Sequence, residues 1–313
     1  SFSRYLFFVM FFPQLISGPI VKHSRLIPQI YRKTFSRFSS SFASVGFCYF
    51  AIGLSKKILI ADPLAAANDV FFAETANLLP IEVWMNAFMY TFRIYFDFSA
   101  YADMAVGLGY IFGVQLPRNF NSPYKSTNIA QFWRIWHISL YSFFKQYLFK
   151  PLLRIQFFQR QMLFAIVVVM LVSAIWHGVG WGYMMWGAGH AALLICYKTL
   201  GRWIDFSAVG KSSRIASFVW RWVCIGTLFF LVTLLWLPFA INDYADVVET
   251  FSRMFDVSRI TIISGLPYAD RTHMLLLSLA AIISFFCPNS HQIALGFRRA
   301  VWPLYWAGFL ISI

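Results

Sequence analysis

Charge is what this chain has least of. Charged residues make up 12% of its 313 positions, against 59% that are hydrophobic. A soluble domain carries about 25% charged residues, so a soluble fold of this size would have too little polar surface to cover its apolar mass. Acids are scarcer than bases, 12 against 26, and none precedes Asp62. The four cysteines, Cys48, Cys196, Cys224 and Cys287, are scattered through mostly apolar runs, and no pair has metal-ligand spacing. That argues against a disulfide framework and against a thiolate metal site. Also missing are the G-x-S-x-G elbow, the P-loop, the H-E-x-x-H zinc helix and the dinucleotide fingerprint. The net charge of +14 comes with no nucleic-acid recognition motif, so no nucleic-acid partner is expected.

What fills the chain is apolar sequence. WVCIGTLFFLVTLLWLPFAI (222–241) runs for 20 residues without a charge, enough at about 1.5 Å per residue to cross about 30 Å of hydrocarbon. MLFAIVVVMLVSAIW (162–176) is shorter and equally clean. FASVGFCYFAIGL (42–54) and MLLLSLAAIISFFC (274–287) are shorter still and read as buried, tilted or re-entrant. Helices satisfy their own backbone groups in lipid, so the expected fold class is all-α, a polytopic transmembrane helical protein. About eight spans are expected. Lys22, Arg25, Arg32, Lys33 and Arg37 crowd one short loop, which the positive-inside rule places on the cytoplasmic side near anionic membrane lipid.

Segment by segment, residues 2–21 are apolar but broken by Pro13, Gly18 and Pro19, which predicts a bent or re-entrant helix. A basic loop is expected over 22–40, a helix over 42–61, and a connecting loop with a short amphipathic piece over 63–82. The stretch 83–114 is apolar yet carries Arg93, Asp97 and Asp103. Arg93 and Asp97, four apart, share a helix face and can neutralise each other, which leaves open a structural ion pair or a role in a site. Residues 116–137 are rich in turn formers, and Thr127 or Asn128 is placed to cap a helix beginning near Ile129. Two helices follow over 161–199, then a basic stretch from Arg202 to Arg221, the long apolar helix, and a polar loop over 242–272. The start at Ser1 and the stop inside an apolar run read as one membrane domain, 1–313, lacking an N-terminal block and a C-terminal end.

Of the six histidines, His177 draws the chemistry. It ends the apolar run and is followed by Gly178, Gly180 and Gly182, with Trp176, Trp181 and Trp186 nearby to wall a pocket. Burial there disfavours an imidazolium, and a neutral ring can accept a proton from a hydroxyl. Ionisable residues within membranes are functional hypotheses by default. His137, in FWRIWHISL one turn after Arg134, is the second candidate; His190 reads equally well as core. On these grounds alone an enzyme and a transporter or flippase for a lipid-linked or sugar substrate both stay open.

Four stretches add a resemblance. FFPQLISGPIVKHSRLIPQI (11–30), KKILIADPLA (56–65), the segment from Tyr95 to Leu140 and IWHGVGWGYMMWGAGHA (175–191) are similar, in order, to the membrane-bound O-acyltransferase family, in its bacterial alginate O-acetyltransferase-like branch. The resemblance implies re-entrant and interfacial helices around a central tunnel, in the bacterial inner membrane. It implies an acyl group, acetyl by family habit, moved from a cytoplasmic thioester such as acetyl-CoA to a hydroxyl of an exported polysaccharide or other cell-envelope acceptor. The thioester is a co-substrate; no bound cofactor and no metal are implied. A periplasmic acetyltransferase partner is implied too. His177 falls at the catalytic histidine and His137 at the second functional one. Lys22, Asp62, Arg134, Asn121, Trp133 and Trp176 are the tentative substrate-binding set. The chain departs from the pattern at Lys22, where arginine is expected, which weakens the case for a bidentate role there, and at Lys145-Gln146, where an Arg-Asp pair is expected, which leaves two expectations open, a different acceptor or a poorly active member.

Overall fold

The computed structural model describes residues 2–15, 18–31, 39–201, 213–241, 243–259 and 268–297. All regular structure among them is helical. The expected end of the chain, and Arg32, Lys33, Arg37 and Arg202, fall outside the described residues.

The chain opens with α1 (Phe2–Met10) and a 3-10 turn at Phe12–Gln14, broken at Pro13 as expected. α2 (His23–Ile30) is a helix where a loop was expected. Its buried Leu26 and Ile27 form one apolar face, which gives the polar segment a reason to coil. α3 (Ser40–Lys56) is capped by the Ser39 hydroxyl, which accepts the Phe42 N–H at 3.4 Å. It continues through a π turn (Lys57–Ala61) into α4 (Asp62–Ala73). The expected loop over 63–82 is therefore mostly helix, held by buried Leu64, Ala67 and Phe71.

α5 (Pro80–Ile111) is the central strut of 32 residues. Pro80 sits at its start, where a missing N–H costs nothing. The fully buried Glu82 carboxylate accepts the N–H groups of Leu79 at 3.0 Å and Tyr268 at 2.8 Å, so this buried acid is satisfied. α3 lies against α5 through small residues: a Cβ built on Gly46 would stand 2.6 Å from the Gly107 carbonyl oxygen, and one on Gly53 would stand 2.6 Å from that of Ala100. Small residues are how helices in lipid bring their backbones together.

After the turn-rich segment come α6 (Ile129–Ile135), α7 (Ile138–Phe144), a second π turn (Lys145–Phe149), α8 (Lys150–Leu152) and α9 (Gln156–Arg160). Asn128 is the cap: its side-chain oxygen accepts the Gln131 N–H at 2.8 Å. Asn128→Ala is expected to cost about 0.5–2 kcal/mol of stability, read as a lower thermal midpoint in detergent. α10 (Met162–His177) and α11 (Trp181–Leu200) form the hairpin expected around His177. α12 (Arg214–Ile241) is the long apolar helix, beginning earlier than the sequence reading placed it. α13 (Tyr244–Met254) replaces part of an expected loop. The Asp243 carboxylate caps it, and Val247, Thr250 and Met254 bury one stripe. α14 (Arg271–Phe285) and α15 (Ser290–Phe297) form a pair bent by 66°.

By length and composition two helices among the described residues can cross a membrane, Ser40–Ala73 and Arg214–Ile241, or three if the bent pair is one span. The expected count of about eight is not reached on that measure: α10 is apolar but short, and α5 carries Arg93, Asp97 and Asp103. Large apolar side chains such as Phe47, Leu59, Phe218 and Leu275 stand exposed around the bundle, as a lipid-facing surface requires.

Candidate functional site

His137 owes its position to a broken helix. α6 stops at Ile135, Trp136 turns extended, and His137 takes a left-handed backbone (φ 43°, ψ 57°) before α7 resumes. A non-glycine residue holds that conformation only where its surroundings enforce it. The enforcement comes from the turn-rich segment. The Asn119 carbonyl accepts the Ile138 N–H at 2.9 Å, and its side-chain oxygen accepts the Ser139 N–H at 3.3 Å. The Asn121 N–H donates to the Ile135 carbonyl at 3.1 Å. The Ser139 hydroxyl in turn accepts the Ile20 N–H at 3.0 Å, tying in the N-terminal segment. Asn119, buried and central to this strap, was not singled out from sequence; its only signal was a run of turn residues.

His177 is the last residue of α10. Its ring stands edge-on among Trp176 at 4.9 Å, Phe239 at 5.1 Å and Trp186 at 5.2 Å. At Gly178 the missing side chain admits the next helix, since a Cβ there would meet the Tyr183 ring at 2.6 Å. Trp181 is not part of the wall; it is exposed.

Both histidines line one cavity of about 510 Å³. Its walls are aromatic, with Trp133, Trp136, Trp176, Trp186, Trp236 and Phe239. Its polar lining outside the histidines includes Lys57, Asp97 and Tyr101. His137 also packs edge-on against Phe98 at 4.7 Å and lies 6.4 Å from Trp176. Its Nδ1 is buried with no hydrogen-bond partner among the described residues. Such an orphaned ring nitrogen is costly to leave unpaired, and here it sits on a residue that lines a cavity.

The tentative binding set divides. Trp133 and Trp176 line the cavity. Asp62 does not line it but pairs at 2.8 Å with Lys57, which does. Asn121 belongs to the strap, and its side-chain oxygen accepts from Asn289 at 2.9 Å. Lys22 lies 5.4 Å from the Tyr147 ring centre, and Arg134 is exposed, donating to the Ala130 carbonyl of its own helix at 3.1 Å. Neither lines the cavity. The expected Arg93–Asp97 pair does not form. Arg93 pairs with Asp69 at 3.0 Å and Asp97 with Lys57 at 2.6 Å, because neighbouring helices offer each a shorter reach than its own helix does. His190 is fully buried against Trp133 and Trp186, at 5.1 Å each, and reads as core. Among the described residues no group of histidines, cysteines and acids could hold a metal ion, and all four cysteines are free.

Residues 1–237 match the family model of the membrane-bound O-acyltransferases. Over 197 residues, covering 63% of this chain and 37% of the relative, the chain is 43% identical to the peptidoglycan O-acetyltransferase of Helicobacter pylori. It is 36% identical over 248 residues to a probable alginate O-acetylase of Pseudomonas aeruginosa, covering 79% of this chain and 45% of that one. A teichoic acid D-alanyltransferase of Bacillus subtilis is 30% identical over 210 residues, 64% of this chain and 52% of the relative. The matches thus cover about two fifths to one half of these relatives' length.

Proposed function

This chain belongs to the membrane-bound O-acyltransferase family, and from that premise we propose that its cavity transfers an acyl group, acetyl in the first instance, from a thioester to a hydroxyl. The observation that carries the reading is the convergence of His137 and His177 on one aromatic cavity, with the Nδ1 of His137 unpartnered. His177 acts as general base. The acceptor oxygen attacks the thioester carbonyl while an imidazole nitrogen of His177 takes the hydroxyl proton. The new C–O bond forms, the C–S bond breaks, and the proton passes to the departing thiolate. A thioester is already activated, so orientation and deprotonation are the main needs. His137, held by the Asn119 strap, orients the reacting oxygen. Trp133 and Trp176 exclude water from the walls, and Asp62 acts through Lys57. Asn121 supports the strap, and Lys22 and Arg134 meet substrate on its approach to the cavity.

The donor is a cytoplasmic acyl-CoA or other acyl thioester. The acceptor is an exported polysaccharide or a periplasmic relay partner, in the bacterial inner membrane. Relatives named for peptidoglycan, alginate and teichoic acid support a cell-envelope acceptor. The test is a labelled-acetyl assay on membranes bearing the full-length protein, with acetyl-CoA supplied on one side only. Label is expected in envelope polysaccharide or a protein acceptor, and only when the protein is present. Label that crosses the membrane still attached to its donor would instead indicate a transporter.

A further inference from the structure

Among the described residues two non-glycine positions take a left-handed backbone, His137 (φ 43°) and Ser122 (φ 53°). Such conformations persist only where their neighbours over-determine them. The strap of residues 119–122 holds His137 from both sides. The Asn121 N–H binds the Ile135 carbonyl before it, and Asn119 takes the Ile138 and Ser139 N–H groups after it. The strap is held in turn by the break between α14 and α15. The Asn289 side-chain amide donates to the Asn121 side-chain oxygen at 2.9 Å and to the Ser122 hydroxyl at 3.2 Å. Close by, the Lys125 ammonium donates to the Cys287 carbonyl at 2.6 Å. The other end of the Asn289 side chain is occupied as well. Its oxygen accepts the Gln292 N–H at 3.0 Å, and the Gln292 side chain accepts the Asn289 N–H at 2.9 Å, a reciprocal cap at the start of α15. A capped helix end thus aims the amide at the strap. Asn289 lies beyond the residues that the family model matches, which end at 237.

We propose that Asn289 is a positioning residue of the acyl-transfer site: fixed as the cap of α15, it holds Asn121 and Ser122 and, through them, sets where His137 stands in the cavity wall. The proposal rests on the acyl-transfer reading and adds to it a residue that touches no substrate. The route is short and made of hydrogen bonds: Asn289 to Asn121, then Asn121 to the Ile135 carbonyl two residues before His137. Ser122 reaches its left-handed backbone within the same grip. Without the amide, one side of the strap has nothing behind it, and His137 is free to relax toward an ordinary backbone. One neutral hydrogen bond carries up to about tenfold in an equilibrium. A group displaced by about 1 Å from its working position can cost up to about 10²-fold in rate. Loss of the contact therefore acts on the chemical step rather than on binding of the donor.

The test uses the full-length protein in membranes and sets N289S beside N121A. Serine keeps an oxygen to cap α15 but has no amide to reach the strap. N121A removes the acceptor and leaves the cap intact. Each is expected to lower kcat by about tenfold, with the KM for the thioester within about twofold of wild type. The double variant should be no slower than N121A alone, because both changes remove one contact. A second readout follows the ring itself. Diethyl pyrocarbonate labels neutral imidazole nitrogens, and the modified peptides are quantified by mass spectrometry. Labelling of His137 should rise at least about threefold in either variant. His177, carried by α10 and not by the strap, should stay at the wild-type level. Unchanged kcat in folded N289S, losses that multiply in the double variant, unchanged labelling of His137, or an equal rise at His177 would each overturn the proposal. Should N289S not fold, N121A decides alone by the same readings. A wild type that transfers no acyl group would strike the acyl-transfer reading only, and the histidine labelling would then decide this proposal. Normal transfer with flat labelling would strike only this one.

Discussion

His177→Ala is expected to lower acyl transfer by about 10²–10⁴-fold, the range a positioned general base contributes. The protein should remain folded. His177 is half-buried at a helix end, and its ring packs on Trp176, Trp186 and Phe239, with no side-chain hydrogen bond among the described residues. Truncating it costs packing, on the order of 1–3 kcal/mol, which a thermal midpoint would show separately. The decisive measurement is initial rate against donor concentration in membranes holding equal amounts of folded protein. A base acts on the chemical step, so kcat should fall while the KM for the thioester changes little. His177→Gln, which keeps a hydrogen-bonding group but no usable base, should be as inactive as alanine. Activity within about tenfold of wild type in either variant would remove His177 from proton transfer.

Gly107→Leu is expected to abolish the fold. A Cβ at residue 107 would stand 2.6 Å from the Gly46 carbonyl oxygen and 2.8 Å from the Phe50 nitrogen. Both are backbone atoms of α3 and cannot swing aside, so α3 and α5 must separate. Overpacking costs about 1–3 kcal/mol even when side chains give, and rigid backbone makes it larger, against a total stability of about 5–15 kcal/mol. The site would go with it, since α5 carries Asp97, Phe98 and Tyr101, and the turn after α3 carries Lys57. Gly226 is the control: a Cβ there meets nothing within 4 Å, so Gly226→Ala should fold normally and gain up to about 1 kcal/mol of helix propensity. Monodisperse elution of Gly107→Leu at the wild-type yield and midpoint would show that the helices can part freely.

The features readable from sequence were those written in local order. The apolar run ending at His177, the break before α11 and the Asn128 cap are all signals within a few residues, and each stands where it was expected. The missed helices α2, α4 and α13 are amphipathic or mixed, and their polar faces masked the stripe that buries. In α13 the stripe was there to find: Val247, Thr250 and Met254 follow helical spacing after an Asp243 cap. The ion pairs were out of reach for a different reason. Spacing along one helix points to Arg93 with Asp97, whereas the partner Asp97 takes is Lys57, 40 residues away on another element. Lys57 entered the sequence reading only as part of the KKILIADPLA stretch, 56–65. That it enters the cavity depends on the π turn and on how α3 lies against α5, and neither is encoded in any short window.

The hydroxyl of Ser290 bridges Lys56 at 2.7 Å and Asp103 at 2.5 Å. Lys56 leaves the ribosome 234 residues ahead of it. At about 5–20 residues per second of synthesis, the lysine waits roughly 10–50 s for its last partner. During that interval α3 and α5 are already in place to be inserted, with the Lys56–Asp103 pair only partly answered. The bent α14–α15 pair is thus a late-arriving clasp. It supplies a neutral hydroxyl to an ion pair made long before it, so the Lys56–Asp103 pair keeps an unfilled hydrogen bond until the bent pair docks.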